Sequence, residues 1–363
     1  MRRSRRLLAA ATALVAFVAC SDDSASNAPA QPEPEPVDRN ASLREIATHS
    51  GLRIGAAIDA EALQQDPAYA DAAATHFNSL TPEDAMKWTV VQPQPGEWDF
   101  SGADALVDFA EEHDMTVRGH TLVWGQDIGN GMPDWARQIS DPDELREALR
   151  EYGTTLMTRY ADSVERWDVV NEPLLIGEGE LDPNPFFEVL GPEYIAEAFE
   201  LAHEVDPDAE LWLNEHSVEH LPAKADALVA LVADLIEQGV PIDGVGLQTH
   251  QFSSSLPPAG AVEDVLGRLR ALGVDVAITE LDLPLDDARD LEAQAAGYRQ
   301  IVDECLAAGC AEISVWGVDD GRTWLDEFLG AGPHEPLLLD TDYRPKPAYD
   351  AVRDAILATQ ASP

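Results

Sequence analysis

Between Ala41 and Ala358 the chain alternates short apolar runs, each closing on polar residues, with longer stretches whose apolar positions recur every three to four residues. The runs extend over Arg53 to Asp59, Phe77 to Asp84, Thr116 to Trp124, Val164 to Glu172, Ala209 to Glu215, Asp243 to His250, Asp275 to Asp282 and Ala311 to Asp319. They have the length and content of buried strands. Helical periodicity fills the gaps, over Ser101 to His113, Asp141 to Tyr160, Gly191 to Val205, Pro222 to Gln238, Ala261 to Leu272 and Leu291 to Ala308. Asp141-Pro142-Asp143-Glu144 is a helix start, with a capping acid, proline at the first helical position and acids in the first turn. Eight strands alternating with helices over roughly 300 residues predict the α/β class and a single (β/α)8 TIM barrel over 41–359.

The first forty residues follow another pattern. Arg2, Arg3, Arg5 and Arg6 precede an apolar run from Leu7 to Ala19 that is too short to cross a bilayer and is laid out as a signal peptide, residues 1–19. Phe17-Val18-Ala19-Cys20 resembles a bacterial lipobox, with Phe where Leu is usual, and the same Phe disfavours ordinary cleavage after Ala19. Lipidation of Cys20 is the expectation, and a freely secreted protein is the alternative. Residues 20–40 are polar and proline-rich, which predicts a disordered tether. The expected location is outside the cell, lipid-anchored at a bacterial envelope. Export also permits Cys305 and Cys310 to pair as a disulfide, the alternative being two separate buried thiols.

The formal net charge is -45 at pH 7, and removal of residues 1–19 with their four arginines would take it to -49. So acidic a chain is a poor partner for nucleic acid, since phosphate binding needs basic surface. Its only lysines are Lys87, Lys224 and Lys346. An acid-rich, lysine-poor surface suits a solvent in which salt screens self-repulsion, so a saline habitat is expected.

Two of the apolar runs end alike. Trp167-Asp168-Val169-Val170-Asn171-Glu172-Pro173 and Val274 to Pro284 each carry β-branched residues to a glutamate, with a proline soon after. A proline cannot continue a ladder, so Glu172 and Glu280 fall at the C-terminal lips of strands, where barrel enzymes keep their chemistry. Taken singly, each would be a solvated strand-end charge. Two such acids on one barrel are what a retaining glycosidase needs, one protonated to donate to the leaving oxygen and one ionised to attack the sugar carbon.

The wider sequence then resembles a known family. Phe77-Asn78-Ser79-Leu80-Thr81-Pro82-Glu83-Asp84-Ala85-Met86-Lys87-Trp88, Arg118-Gly119-His120-Thr121-Leu122-Val123-Trp124, Trp167 to Glu172, Gly246-Leu247-Gln248-Thr249-His250, Ile278-Thr279-Glu280-Leu281-Asp282, Val315-Trp316-Gly317 and Tyr343 to Tyr349 are similar, in order, to glycoside hydrolase family 10, the retaining endo-β-1,4-xylanases. The resemblance implies Glu172 as acid/base and Glu280 as nucleophile, roughly 5 to 5.5 Å apart. It implies Asn171 on the sugar 2-hydroxyl, and an Asp282–His250 chain orienting Glu280. His120 and Gln248 would read hydroxyls, Glu83 and Lys87 the next sugar along, and Trp88, Trp124, Trp316 and Trp324 would offer stacking faces.

Some positions depart from the family. Asp84 stands where Asn is usual, which makes an acceptor of a mixed donor and acceptor. Gly125 replaces a histidine, and the segment on to Pro133-Asp134-Trp135 is longer, with Gln126 and Asp127 as possible substitutes for the family's glutamine. Asn214-Glu215-His216-Ser217 lacks the usual tyrosine. These changes bear on substrate preference. The partner implied is xylan and its oligosaccharides, and a monomer is expected. A glucan or mixed-linkage glycanase and a non-catalytic sugar-binding barrel remain as alternatives. No phosphate loop, dinucleotide fingerprint or metal-spaced His/Cys cluster occurs, so no cofactor and no metal are expected.

Overall fold

The computed structural model describes residues 38, 40–125, 131–177, 179–251, 255–285, 288–330 and 332–360. The expected signal peptide, Cys20, nearly all of the expected tether, Gln126 and Asp127 lie outside the described residues.

Eight parallel strands close into a barrel in sequence order. They are β1 (Arg53–Ile58), β2 (Ser79–Pro82), β3 (Thr116–Trp124), β4 (Val164–Asn171), β5 (Glu210–Glu215), β6 (Gly244–Leu247), β7 (Asp275–Leu281) and β8 (Glu312–Val315). Every strand falls inside a predicted apolar run. Several stop short of the run's polar end, because those last residues belong to the loops over the barrel mouth. Glu172 lies just past β4 and Asp282 just past β7.

The helices Pro222–Gln238 and Leu291–Ala308 match the predicted bounds. Pro142–Tyr160 starts as read, with the Asp141 carboxylate accepting from the Asp143 and Glu144 amides. The helix expected from Gly191 begins instead at Tyr194. Three helices beside β1, Leu43–Ser50, Ala60–Gln65 and Pro67–His76, had no counterpart in the prediction. Cys305 and Cys310 form a disulfide, which ties the last turn of Leu291–Ala308 to the residues entering β8.

The barrel interior holds a layer of charge beneath the mouth. Arg118 is fully buried, with Nη2 3.3 Å from Asp168 and Nη1 3.6 Å from Glu312. Arg166 also pairs with Glu312, and both guanidiniums lie over the Trp212 ring. Burial pushes Glu312 up, but Arg166 and Arg118 outweigh it and hold its carboxyl at about 2. Asp168 connects this layer to the mouth by accepting from His120 Nδ1 at 2.9 Å.

All three lysines are buried and ion-paired. Lys87 meets Asp84 at 2.6 Å, Lys224 meets Glu215 at 2.8 Å and Lys346 meets Asp320 at 2.7 Å.

Candidate active site

The C-terminal ends of β4 to β7 bring Glu172 and Glu280 into one hydrogen-bonded network. Glu172 Oε1 accepts from Gln248 Nε2 at 2.8 Å, and that nitrogen also reaches Asn171 Oδ1 at 3.1 Å. The same Asn171 oxygen accepts from Asn214 Nδ2 at 2.9 Å, and Asn214 Nδ2 donates to Glu280 Oε1 at 2.6 Å. Two amides sharing one oxygen therefore span the gap between the carboxyls. With that oxygen occupied and one N–H given to Glu172 Oε1 at 3.3 Å, what Asn171 has left to offer a substrate is its second N–H. Asn214, buried and next to last in β5, was absent from the predicted set. Thr279 Oγ donates to its Oδ1 at 2.7 Å and fixes which end of the amide faces Glu280.

Local backbone helps to aim the groups. Glu172 has φ of 55°, and Ser217 and Thr249, just past β5 and β6, have φ of 61° and 56°. Left-handed geometry is uncommon for residues with side chains, and here it turns the chain sharply where each strand leaves the barrel. The turn at Glu172 is backed by two bonds, Glu172 N to Asn214 O at 2.9 Å and Leu174 N to Glu215 Oε2 at 3.0 Å.

Around Glu280, His250 stands between two carboxylates. Its Nε2 is 2.9 Å from Glu280 Oε2 and its Nδ1 is 2.8 Å from Asp282 Oδ2. Burial pushes the imidazole down, but Asp282 and then Glu280 outweigh it and lift it to about 10. His250 is thus a cation at neutral pH and donates from both nitrogens. Trp324 Nε1 adds a bond to Asp282 Oδ2 at 2.8 Å.

Glu172 departs from expectation. It keeps part of its surface open to the cleft, with Oε2 accepting from Trp124 Nε1 at 2.9 Å. Burial pushes its carboxyl up, yet the charge of His216 and the donors Gln248 and Trp124 outweigh that and hold it below the ordinary glutamate value. The sequence argument asked for a carboxyl ready protonated. The free site favours the carboxylate, because the described groups that reach it are donors and positive charges.

The remaining predicted residues are placed as follows. His120 is fixed by Asp168 and packs edge-on against Trp316 at 5.3 Å between ring centroids. Lys87 Nζ pairs with Asp84 and lies 4.8 Å over the Trp124 ring. Neighbouring Glu83 is pushed up to about 7, first by burial and then by Asp84 and Asp59, with Lys87 opposing. An open cavity of about 510 Å³ runs on from here between Glu83, Arg322 and Trp324. Its lining comes from segments that follow β1, β2 and β8.

Trp88 is a correction. It is fully buried, stacked on Tyr152 at 4.8 Å, so its face is core and cannot receive a sugar. Gly125 packs tightly on Asn184, and a Cβ built on it would fall 2.4 Å from Asn184 Cγ.

The profile of glycosyl hydrolase family 10 matches residues 42–355. The chain belongs to glycosyl hydrolase family 10. Endo-1,4-beta-xylanase A of Halalkalibacterium halodurans is 38% identical over 339 residues, which cover 83% of each chain. Exoglucanase XynX of Acetivibrio thermocellus is 37% identical over 320 residues, 83% of this chain and 28% of that much longer protein. Xylanase 10B from Thermotoga petrophila, solved in complex with xylobiose, superposes with a TM-score of 0.83 at 34% identity, over 89% of this chain and 99% of that one.

Proposed function

We propose that this family 10 member is an endo-1,4-β-xylanase that cuts internal xylosidic bonds with retention of configuration. The observation that carries the reading is the amide bridge from Glu172 to Glu280, which sets two carboxyls from β4 and β7 against one cleft.

In this reading Glu280 is the nucleophile. Its Oε1 is held by Asn214 and its Oε2 by cationic His250, so the ionised form is oriented toward the anomeric carbon. Glu172 protonates the departing oxygen and then deprotonates the water that releases the glycosyl-enzyme. Substrate entry helps the first of these steps. A sugar over Glu172 expels water and strengthens the upward push of desolvation on its carboxyl, which moves it toward the proton-carrying form. Asn171 offers N–H, and Gln248 and His120 complete the polar contacts to the ring. Trp124, Trp316 and Trp324 line the sugar path, and Glu83, Asp84 and Lys87 contact the next residue along.

The test is a product analysis. NMR should show β-anomers first and short xylo-oligosaccharides, with initial rates on xylan far above those on carboxymethylcellulose and β-glucan. Inverted products would sink the mechanism. Higher rates on glucan would favour the second reading, prompted by the exoglucanase relative, in which the same pair acts on glucose chains. Glu280→Ala should abolish turnover. Glu172→Ala should regain activity with azide, as a β-glycosyl azide.

Residues 1–19 are proposed to direct export and 20–40 to tether the 41–359 barrel, as a monomer, to lipid through Cys20. Among the described residues no helix is long and apolar enough to cross a membrane. Mass spectrometry of the mature N-terminus tests the anchor, and size-exclusion chromatography tests the monomer.

A further inference from the structure

Just past β6 the chain reaches both carboxyls within three residues. Gln248 Nε2 bonds Glu172 Oε1 at 2.8 Å, His250 Nε2 is 2.9 Å from Glu280 Oε2, and Thr249 between them has φ of 56°. A β-branched residue keeps that left-handed geometry only where its surroundings impose it. Gln251, the next residue and itself buried, is placed to impose it.

The side-chain amide of Gln251 is bonded at both ends. Its Nε2 donates to Thr249 O at 3.0 Å and to Glu219 Oε1 at 3.0 Å, while its Oε1 is 2.7 Å from His220 Nε2. Chemistry forces this assignment, because an atom lying between a carbonyl and a carboxyl oxygen has to donate to both, which leaves His220 as the donor to Oε1. The backbone of Gln251 makes a third tie. Its N–H bonds Asp282 O at 3.0 Å and reaches Asp282 Oδ1 at 3.3 Å, and Asp282 is the carboxylate that holds His250 Nδ1 at 2.8 Å. One residue thus joins the segment after β5, which carries Glu219 and His220, to the turn after β6 and to the residue after β7.

We infer that Gln251 is a positioning residue for both carboxyls: by holding the carbonyl of Thr249 it keeps the turn that aims Gln248 at Glu172 and His250 at Glu280. The inference rests on the reading of Glu280 as the nucleophile.

The test is the rate constant for covalent capture by dinitrophenyl 2-deoxy-2-fluoro-β-xylobioside. A Glu280 oxygen bonds the anomeric carbon while dinitrophenolate leaves with the electron pair of the broken bond. That leaving group needs no proton, so the constant reports Glu280 without Glu172. Intact-mass measurement follows the labelled fraction, and peptide mapping locates the label. In Gln251→Leu, which keeps the bulk and removes the amide, the constant should fall about tenfold or more, the scale set by small displacements of reacting groups. Gln251→Glu places an acceptor against Thr249 O and Glu219 Oε1 and should fall further. Adding Glu219→Gln returns a donor to that contact and should restore the constant at least to the Gln251→Leu level. Initial rates on xylan, which also need Glu172, should fall at least as far.

A role confined to stability would lower the melting temperature and the fraction that can be labelled, yet leave the rate constant of the labelled fraction at its wild-type value. That result overturns the inference. Should the Gln251 variants fail to fold, His220→Ala, at the solvent-open end of the clamp, should still lower the constant about threefold, the equivalent of one modest hydrogen bond, and an unchanged value there overturns the inference. Label on a residue other than Glu280 in the wild type would sink the reading of the site itself. Label on Glu280 with unchanged constants in the variants would sink only the role of Gln251.

Discussion

Replacing His250 by glutamine would remove the one cation that joins Glu280 to Asp282, both of which are buried. Folding lifts the imidazole from an ordinary value near 6.5 to about 10, so the folded protein binds its proton more tightly than the unfolded chain does. For a group raised in this way, the stability it lends is fully present below about pH 6.5 and is lost as pH climbs toward about 10. At about 1.36 kcal/mol per pH unit the whole interval corresponds to at most about 5 kcal/mol. Urea unfolding of wild type and His250→Gln from pH 6 to 10.5 would measure this. The stability difference between them should be greatest near pH 6 and shrink steadily as the solution becomes alkaline. Two curves that run parallel through the window would refute the reasoning, because His250 would then be neutral in the native state. The same variant should lose turnover by about a hundredfold or more, since Glu280 would keep only its Asn214 bond.

Other consequences can be checked separately. Asp84→Asn releases Lys87 from its 2.6 Å partner and removes a carboxylate from beside Glu83, so the KM for xylotriose, expected to change near pH 7 in the wild type, should change at lower pH; an unaltered profile would contradict the assignment. Cys305→Ser should cost about 2 kcal/mol, the order expected for a short closed loop, and dithiothreitol should lower the wild-type melting temperature to match. The net charge of -45 predicts that melting temperature rises from low to molar NaCl, and a flat or falling curve would count against a saline habitat.

How much could be read in advance depended on whether the determining contacts were local. The strands were visible because burial on both faces of a parallel sheet leaves uninterrupted apolar runs, and Glu172 and Glu280 stood out as acids ending such runs. The helix Leu43–Ser50 was missed although its capping box, Ser42 with Glu45, is plain in the sequence; Asp66-Pro67 marks another overlooked start. Asn214 and the Arg118–Asp168–Glu312 layer gave no local signal. In the sequence they look like interruptions of apolar runs, and their worth comes from partners on other strands. Trp88 was misplaced because a tryptophan near a strand end looks the same whether it faces the mouth or the helices. The low position of Glu172 came from groups that only the fold brings together, His216, Gln248, Trp124 and His250.

With every lysine clamped to a carboxylate inside the fold, the native enzyme offers almost no side-chain amine to reagents in solution. Succinimidyl dyes and glutaraldehyde should find few targets on its surface, and immobilisation on amine-reactive beads should be inefficient. Loss of structure would expose all three ammonium groups, so the rate of acylation under mild heat would serve as a clock for opening of the barrel.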